Sequence, residues 1–351
     1  MEEQAFQILE AMKQPNGLYV ASITPDYHYV WIRDTCYVAF AHLRYDDGRY
    51  EQIYYRLLDL FKKYRWKIEY HTRQRPQAAF EYIHPRYDPE RLEELHEPWG
   101  NAQNDAIGLF LFGIGEGLRL GRKMLRDDGD HEIIQLLAHY LMKLEFWRDA
   151  DNGMWEEQAE VHASSIGACV AGLLAISSYV TVDETALRQG MHELIELLPR
   201  ESATKEYDLA QLSLIYPYQI LPMELARTIV SQIESHLLRD KGIIRYIGDQ
   251  YFGEEGKEAQ WGFGLPWLGL CYWILGDFSK AYSYLLWTER IMLQPGMLPE
   301  LYLGQSGQPN HHTPLAWAEA LYVILSEKLF AVRMREEAAA SLHTPLSNKH
   351  E

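Results

Sequence analysis

Apolar residues recur at helical spacing in segment after segment of this chain, and the segments alternate between two kinds. Ala168-Cys169-Val170-Ala171-Gly172-Leu173-Leu174-Ala175 and Leu265-Pro266-Trp267-Leu268-Gly269-Leu270-Cys271 are small or aromatic and uncharged, whereas Glu51 to Tyr64 and Asp183 to Leu198 carry a charged face. A helix that is apolar all round must be buried, and an amphipathic one lies at a surface. The spacing predicts helices at about 2–13, 34–46, 51–64, 102–120, 131–146, 164–179, 183–198, 206–215, 222–238, 265–275, 277–291 and 314–333, the even-numbered ones inner and the odd ones outer. Six inner and six outer helices in alternation describe an all-α (α/α)6 barrel, a closed array of helical hairpins. An open solenoid would carry a repeated short consensus, and no such repeat is found.

With 47% hydrophobic and 13% aromatic residues in 351, the chain can fill such a core, read as one domain over 1–333. From about Met334, with Glu336, Glu337, three alanines and a polar end, a loosely ordered tail over 334–351 is expected. A net charge of −17 with only 33 Lys plus Arg argues against a nucleic-acid phosphate footprint or an anionic membrane surface, and suits a neutral small-molecule substrate. No segment has the uninterrupted apolar length of about 20 residues that spans a bilayer. Met1-Glu2-Glu3-Gln4 is acidic where a secretory leader would be basic, so a cytoplasmic protein is expected. Cys36, Cys169 and Cys271 are odd in number and set in apolar contexts, and read as buried thiols.

The unusual residues fall just before the expected inner helices. Trp31-Ile32-Arg33-Asp34 precedes one, Trp99-Gly100-Asn101-Ala102-Gln103-Asn104-Asp105 another, and Asn152-Gly153-Met154-Trp155-Glu156-Glu157 a third. Arg245 through Trp267, Leu298-Pro299-Glu300 and His311-His312-Thr313-Pro314-Leu315-Ala316-Trp317 lead into the last two. If the inner helices run parallel, these loops converge at one end as an acid-rich pocket ringed by tryptophans. A carboxyl beside an indole is partly desolvated, which raises its pKa, so Glu156 is the first candidate for a general acid. Glu300, held in a turn-forming loop, is the candidate general base. Two carboxyls with opposed protonation states are what glycoside hydrolysis requires, and their separation sets its stereochemistry.

Over roughly residues 20 to 325 these motifs resemble glycoside hydrolase family 15, the glucoamylase family. The resemblance implies an (α/α)6 barrel and hydrolysis of α-glucosidic bonds with inversion. Matched position by position, Glu156 is similar to the family's general acid and Glu300 to its general base. Arg33 and Asp34 match the pair that grips hydroxyls of the terminal glucose. Trp31, Trp99 and Trp155 match aromatic walls, Glu157 a polar substrate contact and Arg245 a second basic contact, with Trp317 and Tyr302 as further lining. The same motifs also resemble the glucoamylase-like domain of phosphorylase kinase regulatory subunits, which implies an alternative: a non-catalytic carbohydrate-binding module.

The extra β-sandwich or starch-binding domains that some relatives carry are not found, so a small α-glucoside or maltooligosaccharide is the expected substrate, with the linkage open. Trp66 to Pro98 forms a long excursion that either builds outer subsites or runs over the surface. Gly113, Gly115 and Gly117 have no preceding strand and are expected to allow close helix packing. Asp127-Asp128-Gly129-Asp130 reads as a turn and helix cap. His162, His311 and His312 keep open an epimerase or lyase of the same fold. No cofactor and no metal are expected, His311-His312 reading as loop residues.

Overall fold

Because the inner segments have no polar face to offer water, they can only be satisfied by one another, and the architecture follows from that. The structure is a computed structural model that describes residues 1–342 other than Arg44, Asp46 and Pro98, with the backbone alone over 335–342. Its helices are α1 (Glu2–Ala11), α2 (Ile32–Ala41), α3 (Arg49–Lys63), α4 (Arg65–His71), α5 (Asn104–Arg119), α6 (Asp128–Leu144), α7 (Ala163–Ile176), α8 (Glu184–Leu197), α9 (Met223–His236), α10 (Gly264–Ile274), α11 (Phe278–Ile291) and α12 (Ala316–Leu342). A 3-10 helix, Leu209–Leu214, lies between α8 and α9.

The inner ring closes. α2 touches α5, α5 touches α7, α7 touches the 3-10 helix, and α10, α12 and α2 complete the circuit. On the outside α3 lies on α2, α6 on α5, α8 on α7, α9 on the 3-10 helix, α11 on α10 and α1 on α12. This is the (α/α)6 barrel. The pair α5 and α7 is the tightest: a Cβ on Gly108 would sit 2.4 Å from the carbonyl carbon of Ala168, and one on Gly172 2.3 Å from the carbonyl oxygen of Gly108. Gly115 meets Ala175 in the same interface, while Gly113 and Gly117 admit Tyr54 and Met124.

The expected helix at 206–215 is the short 3-10 helix. Asp208 caps it by accepting from the Ala210 amide. Pro217 has no N–H to continue it and disfavours helical geometry at Tyr216, leaving too short a run for a stable α-helix. The excursion from Trp66 is also more ordered than a surface loop: α4 opens it, and a short strand β2 (Arg86–Tyr87) pairs antiparallel with β1 (Val30–Trp31). Asp127 caps α6 by accepting from the Asp130 amide, as its sequence suggests. Cys36, Cys169 and Cys271 are buried and unpaired. Helix α12 runs past 334, and the part of the expected tail at 343–351 lies outside the described residues. Among the described residues no helix is long and apolar enough to cross a membrane.

Candidate active site

Local sequence shapes the turn that carries Glu156. Asn152 clamps it, its side-chain oxygen accepting from the Ala102 amide at 3.0 Å and its side-chain nitrogen donating to the Glu157 carbonyl at 2.6 Å. Asp151 ties the turn to two inner helices by accepting from the amides of Asn104 (2.9 Å) and Gly153 (3.2 Å) and from the Ser165 hydroxyl (3.1 Å). Gly153 and Glu156 both take positive φ, 62° and 64°. Glycine does so freely, but a glutamate there is strained.

The loops preceding the inner helices do converge on one cavity, of about 230 Å³. Its lining includes Trp31, Arg33, Asp34, Trp99, Trp155, Glu156, Glu157, Arg245, Glu300 and Trp317, the ten site residues expected from sequence. Tyr302 is the exception among the further lining candidates: it is buried, its backbone pairs with Gln260, and its hydroxyl donates to the Ile291 carbonyl. The residues sequence reasoning missed are Ala21, Tyr27, Met154, Tyr251, Trp261 and Leu315. Tyr251 and Trp261 sit inside a loop already singled out, whereas Tyr27 comes from a turn with no distinguishing pattern.

Glu156 Oε1 accepts from the Trp31 indole N–H at 2.8 Å and from Arg33 at 3.4 Å. Burial raises its pKa against the pull of Arg33 and of that indole bond. Its neighbour differs sharply. Glu157 is held by Arg245 (2.8 Å), Lys205 (3.0 Å) and the Tyr246 hydroxyl (2.8 Å to Oε2), so its oxygens are occupied in ion pairs and hydrogen bonds.

Glu300 lines the same cavity from a different loop. Its amide donates to the His312 carbonyl at 3.1 Å, and its carboxyl accepts from the Asn310 side chain. Burial pushes its pKa up to about 7, opposed by Tyr27, Asn310 and Arg245, while the charge of Glu156 adds to the rise. The hydroxyls of Tyr27 and Tyr251 are 2.8 Å apart. Arg245 makes a two-pronged pair with Asp249, 2.7 Å for each contact, and its guanidinium faces Trp155, Tyr251 and Trp261.

Asp34 and Arg33 belong to the first turn of α2. Arg33 is fixed by Gln103 (3.0 Å) and Asp105 (2.9 Å). Asp34 is pushed up to about 7 by burial, with Arg33 opposing, and its carboxyl faces the cavity. Trp155 donates its indole N–H to Asp208 at 2.7 Å, which fixes the plane of that wall. Trp99 is braced from behind by Arg86, whose guanidinium lies 4.0 Å from the ring centre, so the excursion buttresses two cavity tryptophans through β1, β2 and this contact. The buried indole nitrogens of Trp261 and Trp317 find no acceptor among the described residues. Such donors, with carboxylates and flat apolar faces, suit a polyhydroxylated ring.

The chain is similar to known proteins along most of its length. The probable phosphorylase b kinase regulatory subunit alpha of Caenorhabditis elegans is 28% identical over 283 residues, which cover 65% of this chain and 23% of that protein. The isomaltose glucohydrolase of Kribbella flavida is 24% identical, with 66% of each chain covered. This chain therefore spans about a quarter of the kinase subunit it matches. A solved glycosidase variant in complex with glucose has the same fold, with a TM-score of 0.77 over 94% of this chain and 96% of that one at 20% identity. Residues 4–261 match the profile of glycosyl hydrolases family 15, and the chain belongs to that family.

Proposed function

We propose that the chain is an inverting, exo-acting α-glucosidase of the glucoamylase type, acting on small α-glucosides or maltooligosaccharides, with Glu156 as general acid and Glu300 as general base. Family membership and the glycosidase neighbours support a glycoside hydrolase. The observation that carries the finer reading is the placement of two pKa-raised carboxyls, Glu300 buried and Glu156 part-buried, from separate loops, in one tryptophan-walled cavity. Ligand pockets commonly run to about 300–1,000 Å³. A smaller cavity suits a terminal sugar more than a long polymer.

In this mechanism the terminal glucose sits between the tryptophan faces, its hydroxyls donating to Asp34 and accepting from Arg33. Glu156 delivers its proton to the glycosidic oxygen as the bond to C1 breaks. Glu300 removes a proton from the water that attacks C1 from the opposite face, so the released glucose is the β-anomer. Inversion of this kind needs the carboxyls about 6.5–9.5 Å apart, to leave room for that water. No cofactor enters the scheme.

Similarity to phosphorylase b kinase regulatory subunits favours a second reading, a carbohydrate-binding regulatory module without turnover. The two readings part in one experiment: NMR of the products from maltose, isomaltose, nigerose, kojibiose, trehalose and short maltooligosaccharides. β-Glucose from any α-linked member is the expected result and identifies the linkage. A folded protein that binds glucose or maltose yet releases nothing would favour the regulatory module, and initial release of α-glucose would exclude inversion.

A further inference from the structure

Beside Tyr27, which lines the cavity, lies a group that the hydrolytic scheme does not use. Asp26, from the turn that carries Tyr27, meets the adjacent His311 and His312, from the loop that follows Glu300, and one ligand atom of each lies within 4.8 Å of the other two. Among the described residues no other group of three histidine, cysteine or acidic side chains converges in this way. We propose that Asp26, His311 and His312 form a binding site for a borderline divalent metal ion of the zinc class.

The geometry supports this in several steps. Zinc holds nitrogen and carboxylate oxygen at about 2.0–2.2 Å, so two ligands on a tetrahedral ion stand about 3.3 Å apart. His311 Nε2 and Asp26 Oδ2 are already 3.1 Å apart. The two imidazoles have ring centres 4.0 Å apart, although side chains of consecutive residues in an extended chain point to opposite faces. Here the loop turns them together: the Thr313 amide donates to the His311 carbonyl at 2.9 Å, and the Thr313 hydroxyl donates to the Asn310 carbonyl at 2.9 Å.

One ligand is fixed and two are adjustable. His312 is buried and stacked on Tyr27, with ring centres 3.8 Å apart and planes within 5°. Asp26 and His311 are exposed, which leaves their side chains free to rotate toward a shared ion. Phe252 packs against both imidazoles and gives the site an apolar side. Two imidazoles with one carboxylate select zinc, nickel or copper over calcium or magnesium, which prefer oxygen ligands. Three protein ligands leave a fourth position for water. The ordinary alternative is a surface ion pair between His311 and Asp26 alone.

Calorimetric titration of the full chain with zinc chloride at neutral pH, without sugar, separates the two. One ion per chain is expected, with binding at least about tenfold weaker in Asp26→Asn and again in His311→Ala. Electron paramagnetic resonance of bound copper(II) is expected to show two equatorial nitrogens, falling to one in His311→Ala. Both substituted side chains are exposed, and circular dichroism checks that the fold is kept. No saturable binding, or binding that neither substitution weakens, overturns the proposal. Because binding is read directly, the result is independent of whether the chain hydrolyses glucosides.

Discussion

Glu156 sits in the left-handed backbone region at φ 64°, a conformation that costs a residue with a β-carbon about 1–2 kcal/mol. The turn that forces it also gives Glu156 and Glu157, adjacent in sequence, separate surroundings. One carboxyl faces Trp31 and Arg33; the other is tied to Arg245, Lys205 and Tyr246. As proton donor, Glu156 should be dispensable only when the leaving group needs no proton. Glu156→Gln is expected to lose about 10²–10⁴-fold in maltooligosaccharide hydrolysis while keeping much of its activity on α-glucosyl fluoride. Equal loss on both substrates would remove it from the acid role. Glu300 must be ionised to act as base, and burial holds its pKa near 7. A raised pKa keeps the proton on as pH rises, so the ionisation of Glu300 should make kcat/KM climb with pH up to about 7. A profile already flat from pH 4 to 6 would count against Glu300 as the base.

At the scale of elements, α1, α3 and α9 begin without a side-chain cap, as do four inner α-helices, while three outer helices and the inner 3-10 helix carry a local one. The outer helices α6, α8 and α11 each carry their own cap, Asp127, Asp183 and Asp277, within the local sequence. The inner helices α2, α5, α7 and α10 have no side-chain cap at the preceding residue. In α5 and α7 the first amides are served from other loops instead, Asn104 by Asp151 and Ser164 by Glu201. The starts of α5 and α7 therefore depend on the assembled end of the barrel, which is also where the cavity lies. Close approach of α5 and α7 is the other demand of the inner ring. Gly108→Ala would drive a methyl into the Ala168 backbone, and backbone cannot yield as a flexible side chain can. It should destabilise by about 1–3 kcal/mol or more, seen as a lower denaturation midpoint. An unchanged midpoint would mean that the helices separate at little cost.

For the molecule as a whole, closing the ring from α12 to α2 brings residues from both ends of the chain to one cavity, so Trp31 and Trp317 line the same site. Helical periodicity and the alternation of apolar with amphipathic segments determined the barrel, because burial and exposure are written directly into which faces lack charge. The motifs before the inner helices likewise determined which acids and tryptophans would meet, since each loop inherits its place from the helix it precedes. Other features belonged to the tertiary structure alone. It made the 206–215 segment a 3-10 helix, turned Tyr302 inward, and drew Tyr27, Tyr251 and Trp261 into the wall. It also gave Glu156 and Glu157 different partners, and set Asp26 against His311 across nearly the whole length of the chain. These depend on loop conformation and on contacts between residues far apart in sequence, and local composition carries no record of either.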